Sequence, residues 1–145
     1  MSIWRTELTP ERVNRFSSGT FAERLGIQVT EIGVDYLSAT LPVTPDVHQP
    51  YGVLHGGVSV ALAETVGSLA ASLCIDRKRL QCFGQEINAN HLRSVTSGLL
   101  TATARPYHIG SRSHVWGIEI RDERARLVCV SRLTMAIVPR RDSAA

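Results

Sequence analysis

The sequence predicts an α+β domain in which an antiparallel sheet packs against one long helix. Three observations carry this reading. The elements follow the order strand, strand, helix and then four strands; the later connections are too short to hold crossover helices; and the helix bears small residues on every face. With 145 residues, one domain can bury a core without disulfides or metals, and 43% hydrophobic and 20% charged residues are ordinary globular values. A single domain over residues 1–139 and a frayed tail over 140–145 are expected.

Each element has a local reason. Thr9-Pro10-Glu11 is a helix start, with Thr9 as N-cap, Pro10 at the first helical position and Glu11 near the positive end, so a short helix is expected over 10–16. Ser17-Ser18-Gly19-Thr20 breaks it, and a second short turn follows over 21–25. Residues 27–32 are rich in β-branched side chains, and Leu37, Ala39, Leu41 and Val43 alternate with other residues. These are two strands turning at Gly33-Val34-Asp35. Residues 45–57, with two prolines, three glycines and two histidines, have no periodicity and form a loop leading into a helix over 56–74. Apolar or alternating runs at 80–92, 99–105, 114–121 and 127–138 read as strands, the last two joined by a turn over 122–126.

Several function classes are disfavoured. The first ten residues lack the apolar core of a secretory signal, and the weakly polar stretch 56–75 is interrupted by Glu64, Thr65 and serines, which suits a core helix and no membrane span. Cys74, Cys82 and Cys129 form no C-x-x-C pair and are odd in number, as expected for reduced core thiols in the cytoplasm. A net charge of +3, with basic residues scattered apart from Arg140 and Arg141, argues against nucleic acid but suits a smaller polyanion. The five histidines lack metal-ligand spacing, so neither a metal nor a cofactor is expected. Gly57-Val58-Ser59-Val60-Ala61 approaches the serine-hydrolase elbow but lacks the strand and doubly wound sheet that motif needs.

Glu64 is the only ionisable side chain between Gly56 and Ile75, on a helix expected to be buried. A desolvated carboxylate is costly and points to chemistry, against the ordinary reading of a solvated helical glutamate. Ser68 lies four residues on, on the same face, where it can hold a water. The loop from Gln49 through His55 to Gly56 and Gly57 ends at the helix N-terminus, where free N–H groups can serve as an oxyanion hole. Gly56 and Glu64 stand about 12 Å apart along the axis at roughly 1.5 Å per residue, too far for one carbonyl to touch both. Antiparallel helices in a two-fold dimer bring Glu64 of one chain opposite Gly56 of the other, so shared sites are expected.

Four ordered motifs, Gln49-Pro50-Tyr51-Gly52-Val53-Leu54-His55-Gly56-Gly57, Leu62-Ala63-Glu64-Thr65-Val66-Gly67-Ser68, Glu86-Ile87-Asn88-Ala89-Asn90-His91 and His108-Ile109-Gly110-Ser111-Arg112, closely resemble the hotdog-fold thioesterases of menaquinone synthesis and enterobactin proofreading. The resemblance implies a curved antiparallel sheet wrapped around the central helix. It also implies homodimers pairing into tetramers, and hydrolysis of acyl-CoA or acyl-carrier thioesters, including aromatic ones such as 1,4-dihydroxy-2-naphthoyl-CoA. Carried onto this chain, it makes Glu64 the nucleophile or general base and the Gly56 amide the oxyanion donor. Gln49 and His55 come near the carbonyl, and Ser68 beside the attacking water or anhydride. Gly84, His91, Leu92, Arg93 and Ser94, with His108, Ile109, Gly110, Ser111, Arg112 and Ser113, fall on the substrate and CoA side. Gln85 and the loop over 76–80 depart from the family pattern at positions suited to tuning the acyl pocket. The competing readings are a hotdog hydratase or dehydratase, separable by assay for free thiol, and a non-catalytic acyl-CoA binding module, which gains nothing from Glu64.

Overall fold

The computed structural model describes residues 1–141, so the expected tail lies outside the described residues from 142 onward. Its elements are α1 (Pro10–Asn14), α2 (Phe21–Arg24), β1 (Gln28–Ile32), β2 (Leu37–Val43), α3 (Gly56–Leu73), β3 (Leu80–His91), β4 (Gly98–Ile109), β5 (Ser113–Arg121) and β6 (Leu127–Pro139). The strands make one antiparallel sheet in the order β1-β2-β4-β5-β6-β3, and α3 packs on it, as the sequence pattern requires.

The differences from expectation are local. Thr9 caps α1 by accepting from the Arg12 N–H, but the α-helix ends at Asn14 and tightens into a 3-10 turn over Arg15–Ser17. Strand β4 continues to Ile109 instead of ending at 105, because its partner β5 is long enough to pair Pro106 with Trp116 and Ile109 with His114. Strand β6 runs to Pro139, and the Arg140 N–H bonds the Arg79 carbonyl at 2.8 Å, so ordered chain reaches past Val138. The 122–126 turn forms as expected, with Asp122 accepting from the N–H groups of Arg124 and Arg126 and Ala125 at φ 60.

The order of the sheet is not the order of the chain. Strands β3 and β4 are consecutive yet lie three strands apart, because β3 takes the edge beside the last strand, β6. A β-bulge at Gln85 separates the pairs Gly84 with Met135 and Glu86 with Thr134. One extra residue resets the two-residue alternation of a strand. Cys82 and Gly84 therefore face the helix before the bulge, and Ile87, Ala89 and His91 face it afterwards, while Glu86, Asn88 and Asn90 are exposed. In a regular strand with Gln85 paired in line, Glu86 would face inward and His91 outward.

Ser59, Leu62, Ala63, Val66, Gly67, Ala70, Ala71 and Leu73 of α3 are buried against Leu100, Ile118, Ile120, Leu133 and Met135 of the sheet. Each large aliphatic side chain removed from water here contributes about 1.5–3 kcal/mol. Although α3 is long and apolar enough to cross a membrane by length and composition, this packing makes it the core helix. The N-terminal segment closes its far end: the Arg5 N–H donates to the Leu73 carbonyl at 3.0 Å and the Arg5 Nε–H to the Cys74 carbonyl at 3.3 Å, placing a cation at the negative end of the helix dipole. All three thiols are free, and burial pushes the Cys74 thiol up to about 12, which keeps it unreactive at neutral pH.

His114 is 1% exposed, and its Nδ1 atom, like the Trp116 Nε1, has no hydrogen-bond partner among the described residues. Loss of water around the ring lowers its pKa below the ordinary 6.5. Protonation then favours the unfolded chain, where the ring titrates normally, so this contribution to stability is complete above 6.5 and is lost as pH falls toward the depressed folded value. Melting temperatures measured from pH 7.5 to 5.0 should fall on the acid side, and His114→Gln should flatten that part of the profile; an unchanged slope in the variant counts against His114 as its source.

Candidate active site

The N-terminus of α3 opens into a cleft of about 340 Å3 lined by Gln49, Val53, Leu54, Gly56, Ser59, His91, Leu92, Arg93, Ser94, Val95 and Val128. Three segments converge on it. The 49–53 loop is a tight turn in which Gly52 adopts φ 75 and donates its N–H to the Gln49 carbonyl at 2.9 Å. The Tyr51 N–H donates to the Gln49 Oε1, which commits the amide oxygen and leaves the Gln49 Nε2 hydrogens as donors. The link between β3 and β4 crosses the open end of the sheet and is pinned on both sides: Leu92 N–H donates to the Val128 carbonyl and Leu54 N–H to the Val95 carbonyl, both at 2.8 Å. That crossing places Arg93 and Ser94 at the mouth of the helix.

His55 caps α3, its Nδ1 accepting from the Gly57 N–H at 2.9 Å. The ring therefore carries its proton on Nε2 and presents a second donor near the helix mouth. The Gly56 N–H has no acceptor among the described residues, and helix geometry adds partial positive charge there. A Cβ on Gly56 would come within 2.9 Å of the His91 Nε2, so the glycine lets the ring lie over the first turn. Gln49 and Gly56 thus line one cleft, with His55 at the adjacent helix cap, and donors of this kind can stabilise developing negative charge on an oxygen.

Glu64 lies elsewhere. It is half-buried instead of buried as expected, because its side of α3 meets the edge strand β3 and not the middle of the sheet. Among the described residues no hydrogen bond or ion pair reaches its carboxylate. The carboxylate comes close to Gly84, where a Cβ would sit 2.2 Å from the Glu64 Oε1. Gly84 therefore lies beside Glu64, apart from the cleft residues His91 to Ser94. Ser68, one turn on, is half-buried and donates weakly to the Met135 Sδ at 3.6 Å.

The remaining group forms the turn between β4 and β5, where Gly110 N–H donates to the Ser113 carbonyl and Ile137 N–H to the Arg112 carbonyl, both at 2.9 Å. His108, Ile109, Ser111 and Arg112 are exposed, with the His108 ring folded over Gly110. Along β6 this turn is level with Ala136, whereas His91 is level with Cys129. Seven residues at roughly 3.3 Å each put the two about 23 Å apart. The structure of one chain therefore divides the expected site residues into a cleft group (Gln49, Gly56, His91, Leu92, Arg93 and Ser94, with His55 adjacent) and a second group around Glu64, Ser68, Gly84 and the β4–β5 turn. Ser59, Val95 and Val128 line the cleft and were not anticipated. Ser59, 3% exposed, is legible only as the position one helical turn after Gly56; Val128 gives no sequence signal. Ser59 sits inside α3, which removes the elbow reading of Gly57-Val58-Ser59.

Comparison with known proteins bears on what such a site does. A family model for the thioesterase superfamily matches residues 51–129. The 1,4-dihydroxy-2-naphthoyl-CoA hydrolase of Escherichia coli (strain K12) is 47% identical over 136 residues, covering 94% of this chain and 99% of that protein. The proofreading thioesterase EntH of Cronobacter turicensis is 46% identical over 137 residues, covering 94% and 98%. The crystal structure of a mutant of thioesterase PA1618 from Pseudomonas aeruginosa matches with a TM-score of 0.94 at 42% identity, covering 96% of this chain and 100% of that one.

Replacing Gly56 tests the helix mouth. Gly56→Ala keeps the N–H and favours the helix, but its methyl group displaces the His91 ring. Thioester turnover should fall by about 10-fold to 100-fold, the range expected for a displacement near 1 Å, with the melting temperature unchanged or raised. Full activity would show that the approach of His91 to Gly56 does not matter.

Proposed function

From the premise that the chain belongs to the thioesterase superfamily and is a thioester hydrolase, we propose that its substrates are aromatic acyl-CoA thioesters, with 1,4-dihydroxy-2-naphthoyl-CoA the first to assay, and that Glu64 is the nucleophile or general base. The observation that carries the reading is the unpaired Glu64 carboxylate, the only ionisable side chain on α3, standing at the open edge of the sheet. Carboxylates without partners in partly desolvated positions are suited to proton transfer or attack.

The thioester carbonyl oxygen takes the Gly56 N–H, assisted by the Gln49 amide and the His55 Nε2–H. As negative charge grows on that oxygen these donors strengthen, a contribution of about 3–4 kcal/mol for each well-placed donor. Glu64 either takes a proton from water as the water attacks, or attacks the carbonyl to give an anhydride that water opens. In both routes the carbonyl–sulfur bond breaks, and the products are a free acid and the CoA thiol. Ser68 holds the water. Arg93 and Arg112 meet CoA phosphates, for which guanidinium geometry is suited. The three thiols are free and the reaction needs no cofactor, so the cytoplasm is the proposed location.

One chain cannot bring Glu64 to the helix mouth, because about 12 Å of rigid helix lies between them. Strand β3 leaves one side of its 12 residues unpaired, and an exposed edge of that length invites a second strand. Two chains joined along β3 about a two-fold axis form the proposed homodimer, with two sites and α3 helices antiparallel. Pairs of dimers give the proposed tetramer.

Two measurements test this. Glu64→Gln keeps shape and removes basicity, so thiol release should drop about 10²-fold to 10⁴-fold with KM little changed. Near-normal turnover ends the assignment, and product formation without free thiol would favour hydration over hydrolysis. For sharing, Glu64→Ala protein is mixed with a Gln49→Ala, His55→Ala variant, each inactive alone. After subunit exchange, half the dimers are mixed and each holds one intact site, so activity should return to roughly a quarter of wild type. No recovery after exchange verified by mass would place the complete site within one chain.

A further inference from the structure

We propose that Gly84 is a positioning residue for the reaction, setting where the Glu64 carboxylate rests; this deepens the reading of Glu64 above and rests on it. Glu64 has neither donor nor cation to hold it among the described residues, so the shape of its surroundings decides its rotamer. The strand beneath it supplies that shape. A Cβ at position 84 would lie 2.2 Å from the Glu64 Oε1, 3.3 Å from its Cδ and 3.8 Å from the Leu133 Cδ1. The carboxylate occupies the space that a side chain at 84 would fill.

Backbone conformation gives no competing reason for the glycine. The positive-φ glycines are Gly19, Gly26, Gly52 and Gly98, so Gly84 has a backbone that alanine adopts without strain. The bulge at Gln85 completes the cradle. It keeps Gly84 on the helix side while turning the next carboxylate, Glu86, outward, where it accepts from the Asn88 Nδ2 at 3.1 Å. A second carboxylate facing α3 would repel Glu64. The same extra residue brings His91 inward over Gly56. One irregularity therefore fixes both halves of the chemistry, the carboxylate at one point on the strand and the ring over the helix mouth at another.

The group that must yield to a methyl at 84 is the free end of a flexible side chain, so the fold tolerates the change while the carboxylate moves. Gly84→Ala should lower kcat by about 10-fold to 100-fold, as expected for a displacement near 1 Å. KM and the melting temperature should stay close to wild type. The discriminating measurement repeats the substitution in a Glu64→Asp background. The shorter acid no longer reaches position 84, so Gly84→Ala should there cost less than about 3-fold, a non-additivity diagnostic of direct contact. Equal kcat losses in both backgrounds, or a kcat loss matched by a fall in melting temperature, overturn the proposal. If Glu64→Gln is inactive while Gly84→Ala turns over normally, the positioning role alone fails. Normal turnover in Glu64→Gln removes the catalytic reading and this one with it.

Discussion

The close approach of α3 to the sheet is the contact on which the site depends. A Cβ on Gly67 would come within 2.7 Å of the Leu133 Cδ2, and Ala63, Ala70 and Ala71 on the same helix are fully buried. Side chains this small let the helix settle onto Leu133, Ile118 and Met135, whose dense packing resists tilt or slide. The helix becomes a rigid ruler. Its N-terminal donors and its single carboxylate are held at a fixed separation, and chemistry that needs both within reach of one carbonyl must find the second from outside the chain.

Strand β3 meets this helix along its length and does two unlike jobs. Near its start it offers Gly84 to the Glu64 carboxylate; at its end it folds His91 over Gly56. A regular strand has no way to face the helix at both positions, because they are seven residues apart and alternation would turn one away. The bulge at Gln85 resolves the conflict by shifting the phase. The link after β3 adds to the economy: by crossing to β4 instead of turning back, it carries Arg93, Ser94 and Val95 past the helix mouth and becomes a wall of the cleft.

Polar groups in the cleft are oriented before any ligand arrives. Gln49 has its oxygen engaged and His55 its Nδ1, so both show donors, in keeping with the free N–H of Gly56. Among the described residues no buried cation neutralises Glu64, and Cys74, Cys82 and Cys129 have thiols raised by burial. Glu64 is the side chain we propose as nucleophile or base.

By itself the sequence determined the element order and the core helix, and named the candidates for the site. Period-2 alternation at 37–43, the small-residue run with one acid at 56–73 and the glycines before it are local signals, and local signals survive without a structure. It also fixed the incompatibility of Gly56 and Glu64 in one chain, since helix rise is independent of context. Tertiary structure alone decided that β3 pairs with β6 and not with β4, that β4 runs on to Ile109, that Gln85 is a bulge, and that Gly84 lies beneath Glu64 instead of beside the cleft. The β3–β6 pairing and its bulge join residues about fifty positions apart, where the register of one strand is set by its partner's side chains and by the helix above them. No window along the chain contains that information.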